Sequence, residues 1–204
     1  TLFRRLKSGA VKSLPTLGQT GETVGNPLRD FVLDDTLRQA AALDLTVAVH
    51  AGYWDDFRKL DPLNLIPLLQ RHPDVRFDVY HLGYPWVRQT LMLGKGFSNV
   101  WLNFCWLYII SPVCAAAALD EAIDLLPANK LIGFGGDYRI PVEKVHGHLG
   151  LARETIARVL AGRVRAGHMD RDEALELARR WLWDNPRALY RLAGNGGEQS
   201  RTQM

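Results

Sequence analysis

Three short apolar runs of this sequence each end in a residue that could bind a metal ion or transfer a proton. These residues are His50, His81 and Asp137, and their runs are LTVAVH over 45–50, VRFDVYH over 75–81 and LIGFGGD over 131–137. Neutral imidazole and carboxylate groups are common ligands of divalent metals, and a catalytic zinc ion keeps about three protein ligands and an open position for water. Water on such an ion loses a proton near neutral pH and can attack a carbonyl carbon. The residue types therefore indicate metal-assisted hydrolysis.

Each of these three residues also has a purely structural interpretation when it is taken alone. A histidine can be hydrogen-bonded inside a core, and an aspartate can cap a helix. All three, however, stand at the C-terminal ends of candidate parallel strands, and such ends meet at one face of an α/β barrel. Their shared position favours one common site over three separate structural roles.

Apolar strands alternate with helical segments along the chain. Strands are predicted over 45–50, 75–81, 100–104 and 131–135, with a weaker one over 10–14. Helix starts are predicted where a capping residue precedes proline, at Asn26-Pro27, Asp61-Pro62 and Ser111-Pro112. A further helix is predicted over 85–93, and the pattern from 149 to 192 is helical throughout.

This alternation predicts a parallel sheet with helices outside it. Five strand–helix units can be counted in the 204 residues, whereas a complete (β/α)₈ barrel needs about 250 residues. The chain is therefore expected to form either an open doubly wound sheet or a partial (β/α)₈ TIM barrel. The three converging strand ends favour the barrel.

Composition and charge exclude several other classes of protein. The net charge is only +3, and the basic residues are spread along helices among acids, so we expect no nucleic-acid partner. Cys105 and Cys114 lie in apolar sequence, which favours free thiols in a reducing cytoplasm. Residues 100–119 are long enough to cross a membrane, but Asn103 and the Ser111-Pro112 break divide them into a strand and a helix. We therefore expect no membrane span.

Several long phrases of the sequence resemble one known family, the amidohydrolase-related (amidohydrolase 2 type) metal-dependent hydrolases. The phrases are VAVHAGYWD, PLLQRHPDVRF, YHLGYPWVR, NVWLNFCWLYIISP, PANKLIGFGGDY and GHLGLARETIARVLA. They cover roughly residues 27–192 in order and are similar to the C-terminal half of that family. The resemblance implies a TIM barrel with a metal at its C-terminal mouth.

The resemblance also implies a role for each of the three residues. His50 would be the metal ligand of the fifth strand. His81 would be the sixth-strand histidine, which binds the metal or polarises the substrate and the activated water. Asp137 would be the eighth-strand aspartate, which touches metal and water and acts as general base and then acid. Lys12 stands where some binuclear relatives have a lysine, but its surroundings match poorly and favour a salt-bridging or solvated residue.

One part of the family's pattern is missing from this sequence. The first strand of the family supplies an H-x-H pair to the metal, and that strand would lie upstream of Thr1. We therefore expect a truncated chain, with 1–193 as the C-terminal part of the barrel domain and 194–204 as a disordered tail. His146-Gly147-His148 does not replace the pair, because it follows the last strand on a loop or first helical turn, where side chains two apart diverge. Contact with substrate or helix capping is the better interpretation.

A set of polar and aromatic residues near the strand ends is predicted to line a substrate pocket. Its members are Tyr53, Trp54, Tyr84, Trp86, Asn103 and Trp106. Packing in the core or in loops is the alternative for the aromatic residues. Asn103 could bond either substrate or a neighbouring backbone group.

The sequence is thus most consistent with a cytoplasmic, zinc-dependent hydrolase of a small amide or ester, with a possible homo-oligomer. Catalysis would depend on Asp137 and His81, and the metal on His50, His81 and Asp137. Two alternatives stay open at this point. One is a metal-dependent decarboxylase or isomerase on the same fold, and the other is an inactive partial barrel that associates with itself or with a partner.

Overall fold

Four parallel strands form one sheet in the order in which they occur along the chain. They are β1 (Thr46–His50), β2 (Arg76–Tyr80), β3 (Val100–Asn103) and β4 (Leu131–Ile132). The computed structural model describes residues 8, 27–53, 56, 59–139 and 142–192. The predicted strand over 10–14 with Lys12, the predicted pocket residue Trp54 and the predicted tail over 194–204 lie outside these residues.

Helices connect and follow the strands. They are α1 (Pro27–Ala42), α2 (Ile66–Arg71), α3 (Val87–Gly96), α4 (Leu107–Ile110), α5 (Pro112–Leu125), α6 (Glu143–Arg165), α7 (Arg171–Arg179) and α8 (Asn185–Leu189). A 3₁₀ turn over Pro62–Leu65 leads into α2, and a π-helical turn over Arg180–Asp184 joins α7 to α8. None of the described helices combines the length and the apolar character that crossing a bilayer requires.

Two of the three predicted capping residues, Asp61 and Ser111, start their helices, and the third, Asn26, lies outside the described residues. The carboxylate of Asp61 accepts a hydrogen bond from the Leu63 N–H at 2.9 Å, and the Ser111 hydroxyl accepts one from the Cys114 N–H at 3.2 Å. In both cases proline occupies the first turn, where its missing N–H costs nothing.

The order of the strands distinguishes between the two predicted folds. A doubly wound sheet reverses its strand order at a switch point, whereas these strands follow one another in sequence. Right-handed connections between sequential parallel strands place every helix on the same side. The fold is therefore one wall of a (β/α)₈ barrel, as predicted.

The two faces of the sheet differ in chemistry because alternate residues point to opposite sides. One face carries Phe77, Val79 and Leu102, which are fully buried in the core with the helices. The other carries polar residues, and the end of α8 with Tyr190 covers part of it. There Thr46 Oγ1 donates to the carbonyl of Leu189, the last residue of α8, at 2.7 Å.

Three elements differ from their predicted limits, and one of them is α3, which covers Val87–Gly96 instead of 85–93. Strand β4 ends at Ile132 instead of 135, because the Gly133 N–H donates to the carbonyl of Trp181 at 2.8 Å instead of to a strand. Helix α6 begins at Glu143 rather than near 149, so His146 and His148 both lie in its first turns.

Candidate metal centre

The structure brings His50, His81 and Asp137 together at the C-terminal end of the sheet. One ligand atom of each lies within 4.8 Å of the others, and within the described part of the chain this is the only such group of three. Nε2 of His50 is 3.5 Å from Oδ2 of Asp137. The ring centroids of His50 and His81 are 4.9 Å apart in an edge-on arrangement.

The position of His50 depends on a close contact between two loops. His50 is the last residue of β1, and Gly52 follows with a φ of 83°. A Cβ at Gly52 would lie only 2.1 Å from the carbonyl oxygen of Tyr84. The next residue, Tyr53, donates its N–H to that same oxygen at 2.7 Å. Glycine is therefore required for the loop after β1 to lie against the loop after β2.

Left-handed backbone conformations cluster at the ends of the strands. His81 has a φ of 58°, Asp137 of 47° and Trp106 of 60°. Each such residue costs on the order of 1–3 kcal/mol and persists only where the surrounding structure enforces it. Two of the three candidate ligands are thus held in unfavourable backbone conformations, as is common at functional sites.

His81 has the protonation pattern of a metal ligand. It is fully buried, and its Nδ1 lies 2.9 Å from the carbonyl oxygen of Cys105. Because a carbonyl only accepts, Nδ1 carries the proton and Nε2 keeps its lone pair. Nε2 is buried without a hydrogen-bond partner among the described residues. Burial lowers the pKa of His81, which keeps the ring neutral, so the donor set fits a divalent metal.

The other two members of the group are open to solvent. The side chain of His50 is 49% exposed and that of Asp137 is 39% exposed. One ligand is therefore sealed in the protein, while the other two face a region that water and a small molecule can reach.

The predicted pocket residues differ in their exposure. Tyr53 is exposed, whereas Tyr84, Trp86 and Trp106 are half-buried. The indole N–H of Trp106 donates to the Gly136 carbonyl at 2.8 Å, next to Asp137. Their contact with substrate stays a prediction.

Asn103 is buried and uses both ends of its amide within the protein. Its Nδ2 donates to Oδ2 of Asp78 at 2.8 Å, and its Oδ1 accepts from the Cys105 N–H at 3.0 Å. Of the two roles considered for Asn103, these contacts match pairing with a neighbouring backbone group.

Sequence reasoning did not single out Asp78, and it expected His148 to contact substrate or cap a helix, whereas both are buried titratable residues. Asp78 is fully buried in β2, and Tyr190 donates to its Oδ2 at 2.5 Å. His148 is buried in α6, with Nδ1 2.8 Å from the hydroxyl of Tyr138. Burial raises the pKa of Asp78 to about 6 and lowers that of His148 to about 4. An acid inside the apolar run VRFDVYH was the only available sign of Asp78.

Comparisons with known proteins agree with this architecture. Residues 4–192 match the family described as Amidohydrolase. Protein fluG of Emericella nidulans is 25% identical over 199 residues, which are 93% of this chain and 22% of fluG. A crystal structure of a proposed metal-dependent hydrolase from Lactobacillus casei has a TM-score of 0.68 at 22% identity, over 81% of this chain and 44% of that one. The second similarity shows the fold, and the chain spans less than half the length of either protein.

Proposed function

This chain belongs to the amidohydrolase family, and we propose that His50, His81 and Asp137 are part of the active site of a metal-dependent hydrolase of amide or ester bonds. The observation that carries the proposal is the convergence of three ligand atoms within 4.8 Å. They come from the end of β1, the residue after β2 and the segment after β4, and one of them is a buried imidazole nitrogen without a partner among the described residues.

A divalent ion of the zinc class would be held by the imidazoles of His50 and His81 and the carboxylate of Asp137. When bound, it would polarise a carbonyl group and lower the pKa of water. The Cys105 carbonyl, 2.9 Å from Nδ1 of His81, keeps that ring from rotating. His50 and Asp137 supply the solvent-facing side of the site.

The carboxylate of Asp137 is suited to move protons in this reaction. It is partly exposed and lies 3.5 Å from Nε2 of His50. As general base it would take a proton from the attacking water, and as general acid it would return that proton to the leaving nitrogen or oxygen. The aromatic residues Tyr84, Trp86 and Trp106 would exclude water from the apolar part of a small substrate.

Metal binding by single variants tests the ligand assignment. His50→Ala is expected to lower the affinity for Zn²⁺ by more than about tenfold, because it removes an exposed ligand without opening the core. His146→Ala removes an exposed histidine of α6 outside the group and serves as the matched control. Calorimetric titration with Zn²⁺ measures both. Equal affinities in the two variants would contradict the assignment.

Turnover tests the role of Asp137. On a panel of amides, esters and lactones, Asp137→Asn is expected to reduce kcat by about 10²-fold or more, since an amide cannot take up the proton of the attacking water. Unchanged turnover in Asp137→Asn would refute the assigned role.

A further inference from the structure

A chain of hydrogen bonds runs from the buried carboxylate of Asp78 to the candidate ligand His81. Asn103 Nδ2 donates to Asp78 at 2.8 Å, the Cys105 N–H donates to Asn103 Oδ1 at 3.0 Å, and His81 Nδ1 donates to the Cys105 carbonyl at 2.9 Å. We propose that Asn103 is a positioning residue. It holds the backbone at Cys105, whose carbonyl faces His81, so that His81 keeps its proton on Nδ1 and presents Nε2 to the metal.

The amide of Asn103 has only one orientation that satisfies its neighbours. The Cys105 N–H can only donate, so it requires the amide oxygen. Oδ2 of Asp78 already receives the hydroxyl proton of Tyr190, so it acts as an acceptor and requires the amide nitrogen. A flipped amide would place a donor against a donor at one end and an acceptor against an acceptor at the other. Asp78 therefore fixes the orientation of the Asn103 amide, and the Asn103 amide oxygen fixes the position of the Cys105 N–H.

The Cys105 carbonyl needs this support because the chain turns sharply there. Strand β3 ends at Asn103, and Trp106 takes a left-handed φ of 60°. The bond from the Cys105 N–H back to the side chain two residues earlier closes a turn of the type that asparagine favours. Without that bond, the backbone would lose the contact that holds Cys105 in place on the N-terminal side of the carbonyl that faces His81.

Asn103 also contacts the segment that leads to Asp137. A Cβ at Gly135 would lie 2.7 Å from Oδ1 of Asn103 and 2.9 Å from Cβ of Cys105. The backbone two residues before Asp137 therefore runs directly against the Asn103 amide. One buried side chain thus supports the approach to two of the three candidate ligands.

This inference rests on the proposed function, because it assigns Asn103 a purpose at the same site. Asn103→Leu removes both bonds. Its matched control is Asn99→Leu, because Asn99 is also buried and bonds the Leu69 and His72 carbonyls from a position just before β3, at the opposite end of that strand. The exchange Asn103→Asp with Asp78→Asn is the rescue variant. In it, the new amide at 78 can donate to the new carboxylate at 103, which still accepts from Cys105.

Two measurements are made on each variant. Calorimetric titration gives the affinity for Zn²⁺, and long-range ¹⁵N–¹H NMR of the metal-free protein gives the tautomer of His81. Asn103→Leu is expected to weaken Zn²⁺ binding by about 10–100-fold, the usual effect of removing support behind a ligand, and to give His81 a mixture of tautomers. Asn99→Leu is expected to change neither quantity, and the double exchange to recover most of the affinity lost in Asn103→Asp.

The outcomes separate this inference from the proposed function. Unchanged Zn²⁺ affinity in Asn103→Leu, with His81 still protonated on Nδ1, would overturn the inference and leave the proposed function standing. If the unaltered protein binds no Zn²⁺, the proposed function fails and the tautomer alone decides the inference. If Asn103→Leu does not fold, the His81 tautomer is compared between Asn103→Asp and the double exchange instead. The same His81 tautomer in both would overturn the inference.

Discussion

At the scale of single residues, two buried titratable side chains lie outside the candidate metal centre. Asp78 is fully buried and receives two hydrogen bonds on one oxygen, while its Oδ1 has no partner among the described residues. His148 is 2% exposed, and its Nε2 likewise lacks a partner there. An ionised form of either group would be poorly solvated. Each therefore makes stability depend on pH.

Replacing Asp78 by asparagine is expected to stabilise the protein at neutral pH. Burial raises the pKa of Asp78 from 3.8 to about 6. The folded state therefore holds this proton more tightly than the unfolded state, and the stability it contributes below about pH 4 is lost as pH rises through 6. Asp78→Asn mimics the protonated acid, so it should equal the unaltered protein at pH 4 and exceed it by about 2 kcal/mol at pH 7.

Urea unfolding at several pH values measures this difference. Asp74→Asn serves as the control, because Asp74 is exposed just before β2 and should leave the pH dependence unchanged. A gain in stability from Asp78→Asn that is the same at pH 4 and pH 7 would show that ionisation of Asp78 does not cause it.

At the scale of elements, the short strand β4 depends on glycine at the point where the chain leaves the sheet. Gly135→Ala is expected to destabilise the fold by about 1–3 kcal/mol, because the new methyl group would overlap the Asn103 amide. Gly147→Ala is the matched control. It lies in α6 with nothing within 4 Å of the added Cβ, so it should stabilise the helix by about 0.5–1 kcal/mol. In thermal unfolding, Gly135→Ala is expected to lower the Tm and Gly147→Ala to raise it. A raised Tm in both variants would contradict the tight contact at Gly135.

The sequence predicted elements well where local patterns decide the structure. The strands over 45–50, 75–81 and 100–104 correspond to β1, β2 and β3 within one residue at each end, because apolar runs bounded by turns are local signals. The end of β4 depends on Trp181, 48 residues later in the chain, so no local pattern could give it. The early start of α6 was hidden by Gly147 and Gly150, which have low helix propensity.

In the candidate site, too, the features set by local sequence could be predicted and those set by distant contacts could not. His50, His81 and Asp137 could be proposed from residue type and strand position, and the structure places them together. Which partner Asn103 bonds could not be predicted, because both choices are compatible with its place in a strand. The only sign of Asp78 was an acid inside an apolar run, which does not identify its partners, since Asn103 and Tyr190 come from distant parts of the chain.

At the scale of the whole molecule, Asp78 and His148 are expected to oppose each other between about pH 4 and 6.5. Burial lowers the pKa of His148 from 6.5 to about 4, so stability is lost as pH falls through that range, whereas Asp78 causes a loss as pH rises. The contributions of Asp78 and His148 should therefore nearly cancel, while the lowered pKa of His81 adds a separate loss of stability as pH falls. His148→Gln does not titrate at this position, so its stability relative to the unaltered protein should fall as pH rises from 4 to 6.

Guanidinium unfolding across this range tests the balance of the two groups. His168→Gln is the control, because His168 is exposed in the turn after α6. A His148→Gln profile parallel to that of the unaltered protein would show that His148 does not compensate the ionisation of Asp78.

The outer edge of β4 has a consequence for the behaviour of the protein at high concentration. Templated growth of fibrils by strand addition requires unpaired N–H and C=O groups along an edge. At this edge the Gly133 N–H is taken by the Trp181 carbonyl, and the Leu131 carbonyl is taken by the side chain of Asn185 at 2.8 Å. A β-strand of another molecule therefore finds neither group free. The π-helical turn and the first residue of α8 thus block the addition of strands at this edge, and with it polymerisation from this side.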